Sequence, residues 1–107
     1  MTDYYLGETI QLTGSFKDST GALIDPDDGT VTLNIYDPNG LAMETSATPT
    51  KRSAPKGTFD YWYDVPDDAV AGVWLHEWLG EVTTSERTWK VKGTKEFLVQ
   101  IPVVQDP

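Results

Sequence analysis

The chain reads as all-β, a sandwich or barrel of about seven short strands. Three observations predict it. Residues 57–64 alternate Phe59, Tyr61 and Tyr63 against Thr58, Asp60, Trp62 and Asp64, and a period of two marks a strand with one buried face. Residues 72–79 form a second glycine-led, aromatic-rich run, with Trp74, His76 and Trp78 on one parity and Val73, Leu75, Glu77 and Leu79 on the other. Turn signals recur about every 8–12 residues, as in small sandwiches and barrels. No segment carries a 3.6-residue period, and a single turn at Pro66-Asp67-Asp68-Ala69 is the one helical candidate.

Residues 8–17 form the first strand, with Ile10, Leu12, Gly14 and Phe16 facing one way and Thr9, Gln11, Thr13 and Ser15 the other. Asp18-Ser19-Thr20-Gly21 is a turn. Ala22-Leu23-Ile24 leads into a second loop, Asp25-Pro26-Asp27-Asp28-Gly29. Residues 30–36 set Val31, Leu33 and Ile35 against Thr32, Asn34 and Tyr36. At Asp37-Pro38-Asn39-Gly40 the proline presets φ and Asn-Gly accepts positive φ after it, a strong turn.

Residues 41–52 make one or two edge strands, since Pro49 cannot donate to a central ladder. Ala54-Pro55-Lys56-Gly57 turns into the first aromatic strand, and residues 65–71 form a polar corner. A long strand covers residues 72–82, and Thr83-Thr84-Ser85 turns the chain. Residues 86–91 form a strand ending at Gly93. Residues 95–101 form the last, with Phe97, Val99 and Ile101 alternating until Pro102 stops it. Residues 1–6 and 102–107 are short arms of a single domain spanning 1–107. The predicted core is Phe16, Leu33, Ile35, Phe59, Tyr61, Trp74, Trp78, Phe97 and Val99.

A chain of 107 residues buries somewhat under about 70% of its unfolded surface, enough for one thin core. Four Trp, five Tyr and three Phe supply it, because each large ring removes roughly 150–250 Å² from water. The absence of cysteine excludes disulfides, thiolate zinc sites and cysteine nucleophiles, and fits synthesis in a reducing cytosol. Seventeen acidic residues against eight basic ones give a formal charge of −9. Binding a phosphate backbone calls for a basic stripe. The basic concentrations are short: Lys51-Arg52 with Lys56, and Lys90, Lys92 and Lys95. No nucleic-acid partner is expected, and the negative charge repels anionic membranes and suits a basic partner surface. No stretch reaches the roughly 18 apolar residues of a membrane span. Met1-Thr2-Asp3-Tyr4-Tyr5 lacks the basic start and apolar run of a signal peptide. The first strand begins close behind it, which suggests a complete small gene product.

No catalytic constellation emerges. His76 is the sole histidine, and a general base needs a nucleophile and an orienting group within hydrogen-bond reach. There is no Gly-x-Ser-x-Gly elbow and no second histidine for a metal. Carboxylates cluster at Asp25, Asp27 and Asp28 and at Asp64, Asp67 and Asp68. Calcium takes about six to eight oxygens, and the bidentate glutamate of an EF-hand loop would fall at Tyr36. Calcium gains weight if the two loops meet at one pole of the sandwich; otherwise aspartate simply favours turns. Glycoside hydrolysis needs two carboxyl groups about 5–9.5 Å apart in a cleft, which a sandwich this small rarely forms. No enzyme activity, metal or cofactor is expected. Trp62 and Trp89 are the candidates for stacking on sugar rings.

Several motifs carry a family resemblance across nearly the whole chain. Gly7-Glu8-Thr9-Ile10-Gln11-Leu12-Thr13 is similar to the first core strand of bacterial and viral Ig-like modules. Asp37-Pro38-Asn39-Gly40 resembles their D-P-x-G turn, Gly57-Thr58-Phe59-Asp60-Tyr61 their G-x-F/Y-x-Y strand, and Ala71-Gly72-Val73-Trp74 their A-G-x-W/Y opening. The chain departs from antibody-type domains, for it lacks the inter-sheet cysteine pair and carries Trp74 at the tyrosine-corner position. Stand-alone modules of this pattern resemble small Ig-like proteins of tailed-bacteriophage virions. The resemblance implies an all-β, Ig-like antiparallel β-sandwich of about seven strands, and a non-enzymatic head, neck or tail accessory protein, made in the host cytoplasm and located in the virion. Its partners would be other capsid, neck or tail subunits, or copies of itself as a homo-oligomer. The alternatives are a carbohydrate-binding or adhesion module of a surface assembly and a small hydrolase. Ig-like topology sets the strands beginning at Gly72 and Lys95 side by side. Leu75, Leu79 and Leu98 are therefore expected near one another on an outward docking face. Trp62 is expected to point outward one strand earlier, and the Tyr4-Tyr5 arm to add contacts.

Overall fold

The computed structural model describes residues 2–101, with no helix among them. Eight strands form two sheets: β1 (Thr2–Tyr5), β2 (Thr9–Ser15), β3 (Thr32–Tyr36), β4 (Ala42–Ala47), β5 (Thr50–Lys51), β6 (Thr58–Asp64), β7 (Gly72–Thr83) and β8 (Thr88–Gln100). The larger sheet has the order β1-β8-β7-β3-β4 and the smaller β2-β6-β5. Thus β3, β7 and β8 share one sheet while β2, β6 and β5 share the other, the partition of an Ig-like sandwich.

Three elements differ from the sequence reading. The N-terminal arm is strand β1, paired parallel to β8 from Thr2 opposite Phe97 to Tyr5 opposite Gln100; four residues are too few to display a period. Residues 86–101 are not two strands, because β8 runs through Gly93 in unbroken register with β7. No atom sits within 4 Å of where a Gly93 side chain would begin, so nothing there diverts the chain. Residues 41–52 do form two edge strands, but in different sheets. At Pro66 there is one hydrogen-bonded turn, Ala69 N to Pro66 O, and no helix. The 102–107 arm and the Pro102 stop lie outside the described residues.

Alternation along β2, β3, β7 and the end of β8 drives the core. Leu33, Ile35, Trp74, Phe97 and Val99 are fully enclosed, with Ile10, Leu12, Phe16, Phe59, Tyr63 and Trp78 around them. Aromatic rings meet through the middle: Tyr4 stands edge-on to Phe97 at 5.7 Å, Phe97 lies 5.9 Å from Trp74, and Trp74 lies 6.3 Å from Tyr63. Such offset and edge contacts suit the ring quadrupoles. Of the nine expected core residues, Tyr61 alone is half-buried. The partner β5 covers β6 only at Phe59 and Asp60, which leaves the flank of Tyr61 open. Ile101, expected on the inward parity, is exposed beyond the end of β8.

Two glycines are required by their surroundings. The indole of Trp78 lies against Gly14, where an added Cβ would approach it to 2.5 Å. Gly57 has φ of 73°, a left-handed conformation that glycine adopts without steric cost. There its N–H donates to Asp25 Oδ1 at 2.6 Å, and its carbonyl accepts from Phe16 N at 2.9 Å. The turn at Asp37 is closed by its carboxylate, which accepts from Asn39 N and Leu41 N at 2.9 Å each.

Candidate functional site

The outward face of the five-stranded sheet carries an apolar group and a polar group. Val73 lies opposite Leu98, and Leu75 lies between Glu96 and Tyr36. Leu75 and Leu98 are half-buried and Val73 is 41% exposed. The expected joining of Leu79 to this group does not occur. Glu77 stands between Leu75 and Leu79, accepting from Asn34 Nδ2 at 3.0 Å and Lys92 Nζ at 3.0 Å, with Tyr36 OH at 3.5 Å. The Asn34 hydrogen bond first, and Lys92 after it, hold the Glu77 carboxyl below its usual range. Leu79 sits beyond that cluster, between Thr32 and Lys92.

The remaining docking candidates separate. Trp62 projects outward, 64% exposed, but from the three-stranded sheet, on the opposite face of the sandwich. Its neighbours there are polar: Gln11 across the ladder, and Asp60 and Asp64 two residues away on its own strand. Arg52 donates to Asp60 at 2.6 and 3.0 Å and lowers its pKa. Within the N-terminal pair, Tyr5 is exposed, whereas Tyr4 packs inward on Phe97 and serves the core. Trp89 is exposed near the β7–β8 turn.

His76 is 5% exposed. Its Nδ1 accepts the indole N–H of Trp78 at 2.8 Å, and its ring stands 5.6 Å from Phe97. Burial first, and Lys95 across the ladder second, push its pKa down to about 4. The imidazole is therefore neutral with Nδ1 unprotonated, packed as an amphipathic spacer between rings.

The acidic loops do not converge. Asp25 binds Gly57 just before β6 begins, and Asp64 ends β6, so the two loops occupy opposite poles. Their carboxylates serve the loops and ladder: Asp27 accepts from Thr83 N and Oγ1, and Asp64 from Thr9 Oγ1. Among the described residues no group of three or more His, Asp or Glu could hold a metal ion.

One feature escaped the sequence reading. The sheets part along the side of β2 and of the stretch of β8 that β1 does not cover, leaving an opening of about 410 Å³ lined by Phe16, Trp78 and Val91 and by Lys17, Lys92 and Lys95. A second opening of about 280 Å³ lies beside it, lined by Tyr4, Leu12, His76 and Phe97. Lys95 lines both, and its Nζ donates to Thr13 O at 3.0 Å, bridging the two sheets. The basic run Lys90, Lys92 and Lys95 was legible, but the arrival of Lys17 beside it depends on the fold. No protein-family model, curated protein or solved structure matches the chain.

Proposed function

We propose that this protein is a non-enzymatic virion structural module that docks on neighbouring head, neck or tail subunits of a bacteriophage, or on copies of itself. The observation that carries the reading is the apolar group Val73, Leu75 and Leu98 beside Tyr36, outward on a sheet whose other face already packs the core. Exposed apolar patches rimmed by polar groups mark interaction sites, and here Glu77, Glu96 and Asn34 form the rim. The resemblance of the Gly7, Asp37, Gly57 and Gly72 motifs to small Ig-like virion proteins supports the choice of partner.

The test is Leu75→Asp with Leu98→Asp. Both side chains point away from the core, so the double variant is expected to keep its melting transition. It should lose copurification with particles. Normal incorporation of the folded variant refutes this docking face. A second reading, a carbohydrate-binding module, is favoured by Trp62 alone, an indole standing among Gln11, Asp60 and Asp64. Glycan-array binding abolished by Trp62→Ala would select it over the first.

A further inference from the structure

We propose that the seam between β2 and β8 receives an extended, acidic polypeptide segment of a partner protein, which adds as a strand to the open edge of β8. The edge is long. Of the thirteen residues of β8, four pair with β1, and among the described residues no strand covers the outer side of residues 88–96. The edge also has a fixed parity. Gln100 O, on the β1 side, accepts from Leu6 N at 3.0 Å, while Arg87 O accepts from Thr84 N inside the β7–β8 turn at 2.9 Å. Backbone groups alternate sides along a strand. Even-numbered residues therefore aim N–H and C=O outward, and those of Lys90, Lys92 and Thr94 lie beyond the β1 ladder. Unpaired groups of this kind template the addition of an extended chain.

Beside this edge lies the 410 Å³ opening, with an apolar floor for alternate side chains of an added strand. Its charge specifies the occupant. In a chain of seventeen acidic and eight basic residues, the opening is lined by three lysines and no carboxylate; Lys92 Nζ is paired with Glu77 on the outer face and Lys95 Nζ donates to Thr13 O, which leaves Lys17. Lys90, opposite Glu81 on the outer face, adds a cation along the same exposed edge. A second copy pairing edge to edge would set lysines against lysines, and like charges directly opposite are unfavourable. An acidic segment supplies countercharge to Lys17 and Lys90, which form no ion pair among the described residues. The opening lies between the sheets, whereas the Leu75 face is the outer side of the larger one, so the two readings are tested by different substitutions.

The probe is a nine-residue peptide of alternating Glu and Val, labelled at one end and titrated into the intact protein. The expected result is saturable binding that weakens at least tenfold when Lys replaces Glu in the peptide. A similar weakening is expected for Lys17→Glu with Lys90→Glu in the protein. Both are surface positions, and an unchanged melting transition confirms that the variant is folded. Bound peptide should slow amide exchange at Lys90, Lys92 and Thr94, and Leu75→Asp with Leu98→Asp should leave binding unaltered. Equal binding of the acidic and basic peptides overturns the proposal. So does binding that leaves those three amides unprotected, or a single-stranded oligonucleotide that binds as tightly. Absence of binding at millimolar peptide also overturns it and leaves the lysines as guards against edge-to-edge aggregation.

Discussion

Replacing His76 with asparagine should remove a specific pH dependence of stability. In the folded protein the imidazole titrates at about 4, against 6.5 for the free side chain. The unfolded chain therefore takes up a proton, over this interval, that the folded chain refuses. The contribution is fully present above about pH 6.5, is lost as pH falls, and is exhausted below about 4. A difference of roughly 2.5 units corresponds to about 3 kcal/mol, of which about 2 kcal/mol is lost between pH 7.5 and 5. The interval is clean because the lowered carboxyls of Asp60 and Glu77 act in the same direction only at more acid pH. Asparagine offers Oδ1 in place of Nδ1 to the Trp78 indole and cannot titrate. Urea unfolding at half-unit steps from pH 7.5 to 5 would measure both proteins. The wild type should lose about 2 kcal/mol and His76→Asn almost none, whatever its absolute stability. A flat wild-type profile, or equal slopes for the two proteins, would refute the placement of a neutral imidazole in the core.

Trp78→Ala should cost about 3–5 kcal/mol by denaturant unfolding, as for other buried large rings; a loss under about 1 kcal/mol would contradict its burial. Gly14→Ala should cost about 1–3 kcal/mol through overpacking against that same indole, and a neutral result would mean the ring moves aside freely. Calcium at millimolar concentration should leave the melting temperature unchanged, since Asp25 and Asp64 lie at opposite poles; a clear rise would reveal native-state binding.

Where side chains alternate over five or more residues, local sequence sufficed to place strands and faces, as at β2, β3, β6 and β7. Eight of the nine expected core residues are buried because that alternation is itself the cause of their burial. What local sequence could not carry was pairing at a distance. Nothing within residues 2–5 announces a parallel partner more than ninety positions away. Glycine at position 93 reads as a break until β7 is seen opposite it. The candidate face was legible as a parity but not as a patch: Leu75 and Leu79 share a side, yet Asn34 and Lys92 from neighbouring strands recruit Glu77 between them. Trp62 was correctly outward, on the sheet that topology alone identifies. The seam needed both sheets in place before Lys17 and Lys95 could meet across it.

The parallel pairing of β1 with β8 also determines how the domain bears load. Because the strands run the same way, tension drawn out through Thr2 and Gln100 pulls them past each other lengthwise. The rungs between Thr2–Tyr5 and residues 97–100 then strain together instead of opening one at a time, as they would at the end of a hairpin. With Tyr4 wedged on Phe97 beneath them, these four residue pairs form a mechanical clasp, and the sandwich core stays shielded from traction until the clasp yields.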